Sequence, residues 1–456
     1  MEGQASNSLY QAAEKIYPRE VDGIFARLRI ASVIVLLGAY YGAAWLTWDG
    51  RQALLFDLPA RKFYVLDLVL FPQDFFFLSW LMIIAALSLF FFTALAGRLW
   101  CGYACPQTVW TEAFLWLERL VEGKGAARRK LDKGPWNANK IRRKVAKQAL
   151  WIGFALWTGF TFVGYFTPIR ELGVKVTTLS LGGWETFWIL FYGFATYGNA
   201  GFMREQVCKY MCPYARFQSA MFDRDSLIIS YDAGRGEPRG SRRREEDPKA
   251  KGLGDCIDCT LCVQVCPTGI DIRKGLQYEC IACAACIDAC DSVMDRMSYP
   301  RGLIRYTTQH GMEGQRTKIL RPRMLVYGTL LCLLSAGFFV ALFTRVPVEL
   351  DIIRDRNALY REGRPGYVEN VYMLRVINKD DETHVYEISV DGLPTVAVDT
   401  DPGRIEVAAS EVATIAARVE IEDGVVAGGG YDVQFTLTSV DAPELTTTET
   451  SRFIAP

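Results

Sequence analysis

Eight cysteines stand in one stretch, "GDCIDCTLCVQVCPTGIDIRKGLQYECIACAACIDACD", residues 254–291. Cys256, Cys259, Cys262 and Cys266 read C-x2-C-x2-C-x3-C, closed by Pro267. Cys280, Cys283, Cys286 and Cys290 repeat that spacing, with Asp291 where the proline would be. Three thiolates at such short intervals can wrap one corner of a compact inorganic cluster, and soft sulfur suits iron–sulfur chemistry. In runs of this kind the fourth cysteine ligates the other cluster, so each cluster staples the two repeats together. The spacing therefore predicts two 4Fe–4S clusters, one on Cys256, Cys259, Cys262 and Cys290, the other on Cys280, Cys283, Cys286 and Cys266. Zinc is the main alternative, since C-x2-C pairs also make zinc sites. Two overlapping four-cysteine runs fit iron better, and thiols this dense would scramble as disulfides.

A second set of thiols has its own pattern. "RLWCGYACPQTVW" supplies Cys101 and Cys105, and "REQVCKYMCPYARFQ" supplies Cys208 and Cys212. Both read C-x-Y-x-C-P with an arginine shortly before, which is an internal repeat. The C-x3-C spacing predicts two thiols on one helix face. Pro106 and Pro213 suit the first turn of a following helix, where no amide hydrogen is needed. Thiols at a helix N-terminus are expected to have depressed pKa values and to bind metals. Four convergent thiolates would favour Cu(I), zinc or a further iron–sulfur centre; two dithiol–disulfide couples, or small buried residues, are the alternatives. The thirteenth cysteine, Cys332, is expected to be a small buried residue.

The elements that must carry these thiols are apolar. The chain is 456 residues long, 50% hydrophobic and of formal net charge +0, so nothing in its balance points to nucleic acid. Five apolar runs without interior charge, about 28–48, 75–97, 148–168, 184–203 and 323–344, approach the ~20 residues of a membrane helix. The polar stretch before the first run is too long for a cleavable signal peptide. Residues 98–146 carry 11 Lys/Arg against 4 Asp/Glu, which places them in the cytoplasm by the positive-inside rule. Five spans then put the N-terminal segment 1–27 inside. The first four spans lie within 28–230, and a mixed-charge linker follows at 231–252, expected to be solvated and flexible. The cluster domain at 253–322 is inside, the fifth span is 323–344, and 345–456 lies outside. Arg242, Arg243 and Arg244 of the linker are candidates for a lipid or partner contact.

The spans carry no interior Asp, Glu, Lys or Arg, which argues against a proton pump. Asn199 is their notable polar side chain, and a helix–helix hydrogen bond would account for it. The two histidines, His310 and His384, fall on opposite sides of the membrane, so a bis-histidine haem is excluded within one chain. No dinucleotide or phosphate-loop glycine fingerprint is found, so electrons must come from another protein, a lipid-soluble carrier or a small reductant.

Residues 345–456 alternate apolar and polar in short runs such as "NVYMLRVIN", "HVYEISV" and "YDVQFTLTSV", separated by "NKDDE", "DPG" and "AGGG". Period two at these intervals predicts an antiparallel, immunoglobulin-like β-sandwich. It holds 21 Asp/Glu, 10 Lys/Arg and no cysteine, and a docking module is the natural reading. The fold class is thus a multi-domain membrane protein: a five-helix transmembrane domain, a ferredoxin-like insertion with two clusters, and a C-terminal sandwich.

The whole resembles the CcoG/FixG/RdxA family of cytochrome c oxidase accessory proteins. The likeness rests on "FDLPARKFYVLDLVLFPQD", the paired C-x-Y-x-C-P motifs, "YDAGRGEPRG", the ferredoxin runs with "CPTGIDIR" and "GLIRY", and the sandwich tail. The resemblance implies a multi-pass protein of the bacterial inner membrane, with its clusters cytoplasmic and its sandwich periplasmic. It implies reduction of Cu(II) to Cu(I) for assembly of a haem–copper oxidase. The expected partners are cytochrome c oxidase, its copper-assembly factors, an unidentified electron donor and the lipid bilayer, with no nucleic acid and a homo-oligomer left open. On this reading the clusters carry electrons, and Cys101, Cys105, Cys208 and Cys212 form a copper or redox thiol site. A quinol-linked electron conduit and a non-catalytic assembly scaffold are the rival functions.

Overall fold

The computed structural model describes residues 15–246 and 251–456. The chain divides into two compact units, one running to Asp67 and resuming over Leu78–Ser335, the other formed by Leu68–Phe77 with Ala336–Pro456. In chain order the helices are α1 (Ile24–Ala43), α2 (Phe75–Ala96), α3 (Leu99–Tyr103), α4 (Pro106–Glu122), α5 (Gly125–Lys133), α6 (Ala138–Val163), α7 (Ile169–Thr177), α8 (Gly183–Thr196), α9 (Pro213–Met221), α10 (Leu261–Gln264), α11 (Ala285–Met297) and α12 (Pro322–Phe343).

Three of these helices are long and apolar enough to cross a membrane: α1, α2 with the turn at Pro72–Asp74 that opens it, and α12. Their apolar side chains largely face outward, as lipid contact requires. The predicted third and fourth spans differ from expectation. Helix α6 begins at Ala138, earlier than the apolar run, because the Asn137 side chain accepts from Lys140 N–H at 2.8 Å and caps it there. Its first turns consequently carry Lys140, Arg142, Arg143, Lys144 and Lys147. Helix α8 is regular for 14 residues and then widens into a π-helix over Tyr197–Met203. These two helices form a close pair. Gly159 approaches α8 so tightly that a Cβ would sit 2.2 Å from the Ile189 carbonyl oxygen, the small-residue contact that lets helix backbones approach. Asn199 contributes its backbone carbonyl, which accepts from Gln107 Nε2 at 2.9 Å, in place of the expected side-chain bond. Cys332 is exposed on α12, contrary to its expected burial; α12 leaves that face outside the packed interior.

The cluster region is closed by a two-stranded ribbon, β1 (Ile228–Tyr231) antiparallel to β2 (Ile304–Thr307). The expected flexible linker is in fact built onto this region. Arg235 pairs with Asp255 and donates to the Arg301 carbonyl at 3.0 Å. Arg242 lies over the Tyr299 ring at 5.3 Å, and Arg244 donates to Ser298 at 2.8 Å. Those two arginines are therefore engaged by the protein itself; Asp247–Ala250 fall outside the described residues.

The second unit is the predicted sandwich. Its strands are β3 (Val348–Arg354), β4 (Tyr367–Asn378), β5 (His384–Asp391), β6 (Ala397–Thr400), β7 (Ile405–Val407), β8 (Val412–Glu422), β9 (Gly429–Ser439) and β10 (Thr446–Ala455). One sheet runs β6-β8-β4-β3, with Arg361–Glu362 also pairing β4, and the other runs β7-β5-β9-β10. The alternation of the sequence becomes inward-facing Tyr372, Leu374 and Val376 from one sheet against Val433, Phe435 and Leu437 from the other. Asp74, at the start of α2, belongs to this unit. Its buried carboxylate takes Lys379 Nζ at 2.9 Å and Arg345 Nη1 at 3.2 Å, and also accepts from the Phe71 N–H.

His384 is held between Asp441 at 2.6 Å and Asp380 at 3.3 Å. Burial opposes its charge, but the hydrogen bonds it donates to both carboxylates outweigh that and raise its pKa. A raised histidine pKa stabilises the fold fully below about 6.5, the unfolded value, and the contribution is lost as pH rises through the folded value. His384→Gln is therefore expected to flatten the alkaline side of the sandwich's pH–stability profile, measured by hydrogen exchange of its strands. Lys379→Met is expected to cost about 3 kcal/mol in the same assay, because Asp74 keeps a buried charge with one cation removed.

Candidate iron–sulfur and rim thiol sites

The two cysteine runs fold into matching loops. In the first, Asp258 and Thr260 flank Cys259 at φ 52° and 57°; in the second, Ala282 and Ala284 flank Cys283 at φ 53° and 59°. Left-handed residues alternating with ordinary ones turn successive backbone N–H groups toward one point, an arrangement suited to an anionic group. Thr260 and Ala284 then open α10 and α11.

Each loop borders a cavity. The first is lined by Cys256, Cys259, Cys262 and Cys290 with Tyr231, Leu261, Val293 and Ile304. The second is lined by Cys266, Cys280, Cys283 and Cys286, with Cys262 at its edge and Ile229, Ile272 and Ile281 around it. The structure thus brings together the two predicted sets, each drawing its fourth thiol from the opposite run. Four soft donors in a largely apolar lining are the donor set that a 4Fe–4S group takes. Burial pushes the Cys262 thiol up to about 11 and Cys280 and Cys290 up to about 12, so deprotonation must be driven by the metal.

The rim motifs depart from a continuous helix. Cys101 lies within α3, but Cys105 has extended backbone (φ −62°, ψ 129°) and is the N-cap of α4. Cys208 lies in a π-helical turn, Val207–Met211, and Cys212 is the extended N-cap of α9. Pro106 and Pro213 are the first residues of α4 and α9 as expected, and it is this break that takes each pair of thiols off a shared helix face. The two motifs nonetheless meet. Cys101 is 3.8 Å from the Gln218 side chain of α9. Cys101 is also within electrostatic reach of Cys105 and Cys208, and Cys208 of Cys105 and Cys212. The expected depressed pKa values are reversed. Burial pushes Cys101 up to about 12 and Cys208 up to about 11, and neighbouring thiols add to it.

Several residues that spacing could not reveal join the two sites. Arg98, buried ahead of the first motif, donates through one guanidinium nitrogen to the Tyr278 carbonyl and through the other to the Ala215 carbonyl of α9. Gly102, between the paired thiols of that motif, packs on the second cluster loop. A Cβ there would lie 2.8 and 2.9 Å from the Ile281 and Ala282 carbonyl oxygens and 2.9 Å from Cys283 Cα. Tyr306 donates to the Ala282 carbonyl and lies 3.5 Å from the Tyr103 hydroxyl. The second arginine of the repeat, Arg204, serves a buried ion cluster, where it and Arg128 each reach Glu118 at 2.8 Å. Burial alone would raise the Glu118 carboxyl, and these cations hold it below its ordinary value. Asp288 of α11 accepts from the Ala26 N–H at 2.7 Å and from Phe25 N–H at 3.3 Å, capping the first apolar helix from the ferredoxin side. The only sequence signal for these residues is the arginine ahead of each motif.

A two-cavity ferredoxin unit set among apolar helices, with a separate sandwich, defines a membrane-associated iron–sulfur redox protein. Comparison with known proteins agrees. A 4Fe–4S dicluster domain matches residues 203–309, a 4Fe–4S binding domain matches 78–124, and the Ig-like fold at the C-terminus of FixG matches 338–456. The nitrogen fixation protein FixG of Rhizobium meliloti is 38% identical over 429 residues, covering 86% of this chain and 82% of that one. Protein RdxB of Cereibacter sphaeroides is 41% identical over 84% of this chain and 83% of its own, and RdxA of the same organism 39% over 85% and 84%. The chain belongs to the FixG/RdxA family.

Gly102→Ala is expected to displace the Ile281–Cys283 backbone and lower bound iron by about half, the share of one of two clusters. Iron and acid-labile sulfide analysis would measure it. Gly173→Ala, where a Cβ meets nothing within 4 Å, is expected to leave iron content unchanged.

Proposed function

We propose that this chain is a membrane-bound electron-transfer protein that reduces Cu(II) to Cu(I) for the assembly of a haem–copper cytochrome c oxidase. The observation that carries the reading is the abutment of the rim thiol motif on the second cluster loop at Gly102. Cys256, Cys259, Cys262 and Cys290 would hold one cluster, and Cys280, Cys283, Cys286 and Cys266 the other. When bound, such clusters supply single electrons at low potential. Cys101, Cys105, Cys208 and Cys212 would take the copper. Cu(II) gains one electron, and soft thiolates hold the Cu(I) that results. Because burial keeps Cys101 and Cys208 protonated, uptake of the ion releases their protons. Arg98 faces the same thiols as a buried cation and lowers the cost of their negative charge.

The topology follows from parity. Three crossings by α1, α2 and α12, or five with the α6–α8 pair, would put the N-terminal segment and the cluster unit on one side and the sandwich on the other. The basic 98–146 segment makes the first side cytoplasmic, so the protein would sit in the bacterial inner membrane with its sandwich in the periplasm. There the sandwich would meet the oxidase and its copper-assembly factors.

A second reading of the rim is favoured by the 4Fe–4S binding domain matched over 78–124, which contains Cys101 and Cys105. In it the four rim thiols hold a third cluster, and copper is reduced elsewhere.

Anaerobic protein with chemically reduced clusters, mixed with Cu(II) and a Cu(I)-specific dye, tests the first reading. Cu(I) is expected to appear as the cluster absorbance returns to its oxidised form, and to be lost in the Cys105→Ser/Cys212→Ser protein. Clusters that stay reduced while copper stays Cu(II) refute the reductase. Iron unchanged in that variant, with copper binding lost, favours copper at the rim over a third cluster. Cys266→Ser is expected to remove the cluster on Cys280, Cys283 and Cys286, and Cys290→Ser the cluster on Cys256, Cys259 and Cys262, each sparing the cluster on its own run's loop, as read by EPR of the reduced protein.

A further inference from the structure

A cavity in the first unit borders both thiol sites and is used by neither. It encloses about 580 Å³ within the first unit, and Cys208 of the rim and Cys283 of the second cluster loop both line it. That volume is in the range of sites for small organic ligands. One wall is apolar: Ile30 of α1 with Leu115, Trp116 and Leu120 of α4. Ile30 and Leu120 are exposed, and α1 is one of the helices long enough to cross a membrane. The cavity thus lies beside exposed apolar side chains of α1 and α4.

Its charges decide what kind of ligand it suits. Five arginines and four carboxylates line it. Arg128 and Arg204 are committed to Glu118, Arg119 to Glu112, and Arg29 to the Cys283 carbonyl. A phosphate or other anion would face four carboxylates, and a metal cation would face five guanidiniums. A neutral, amphipathic ligand meets neither penalty. Glu112 offers such a ligand one acceptor. Trp116 Nε1 and Arg119 Nη2 both donate to Oε1, each at 2.9 Å, which fixes the carboxylate and leaves Oε2 for a ligand hydroxyl. Glu112 is also within electrostatic reach of Cys283.

We propose that this cavity is the electron-entry site and that it takes a quinol, a neutral lipid-soluble two-electron donor, with one hydroxyl on Glu112 Oε2. The inference rests on the reading of the clusters as electron carriers. The quinol gives up two electrons and two protons and leaves as quinone. The two electrons would go one each to the oxidised clusters that the eight ferredoxin cysteines would hold. Glu112 accepts the first proton, and the second goes to water at the mouth of the cavity. Ile30 and Leu120 guide the tail toward the bilayer.

The test uses the purified full chain in detergent and the short-tailed quinone decylubiquinone. Equilibrium dialysis is expected to give saturable binding of one quinone per chain. Ile30→Trp, which fills the apolar wall, and Glu112→Gln, which removes the carboxylate, are each expected to weaken it about tenfold or more while iron content is unchanged. Decylubiquinol is expected to bleach the clusters of the parent chain and to bleach those of both variants far more slowly. Binding that does not saturate, or that is equal in the parent and both variants, overturns the site. Specific binding without bleaching by the quinol overturns its role as donor. Dithionite separates the two readings: clusters that dithionite reduces but a specifically tested quinol does not would refute quinol entry alone. Clusters that neither reduces refute the electron-carrier reading as well.

Discussion

The buried guanidinium of Arg98 is the interaction on which the two thiol sites depend. It lies 4% exposed and binds carbonyl groups from the approach to the second cluster loop and from α9. Among the described residues it forms no salt bridge, and its Nε has no hydrogen-bond partner. A buried cation so placed is costly unless negative charge is near. The candidates for that charge are sulfur: Arg98 lowers the proton affinity of Cys101, Cys208 and Cys280 together. One side chain therefore fixes three backbone segments in register and makes the space between them favour thiolates.

The ferredoxin chemistry was legible in the sequence because its ligands are local. Each C-x2-C-x2-C run needs only its own backbone to present three sulfurs, and the fourth arrives by a rule that spacing already carries. The sandwich was legible for a similar reason, since period two survives whatever the partner strand. The rim site was only half visible. Duplication and the C-P pairs marked Cys101, Cys105, Cys208 and Cys212, but helical spacing gave the wrong local geometry, because proline stops the ladder and each second thiol becomes a cap. Burial, which no spacing reports, then reversed the expected acidity of Cys101, Cys105 and Cys208. The linker was misjudged on composition: Arg235 and Arg242 look solvated in sequence, yet find Asp255 and Tyr299 in the fold.

The helices teach the same lesson. Apolar runs identified α1, α2 and α12, where lipid-facing composition is itself the determinant. They did not reveal the other determinants of α6 and α8, which are a cap at Asn137, Lys144 and Lys147 drawn inward by Glu122 and Asp132, and a change of helical pitch at Tyr197. Lys144 alone serves both Glu122 and Asp132. Such charges are read as surface in a sequence and become interior only when an oppositely charged helix lies opposite them.

The cavities beneath the ferredoxin loops are closed by apolar side chains and by backbone geometry already set at Asp258, Thr260, Ala282 and Ala284. Cys283 and Cys286 are driven by burial toward the neutral thiol. An uncharged sulfur can be sealed in such a space at little cost, whereas four bare thiolates could not. Iron uptake at either loop is therefore coupled to the release of thiol protons, so occupancy of the pockets falls as pH falls.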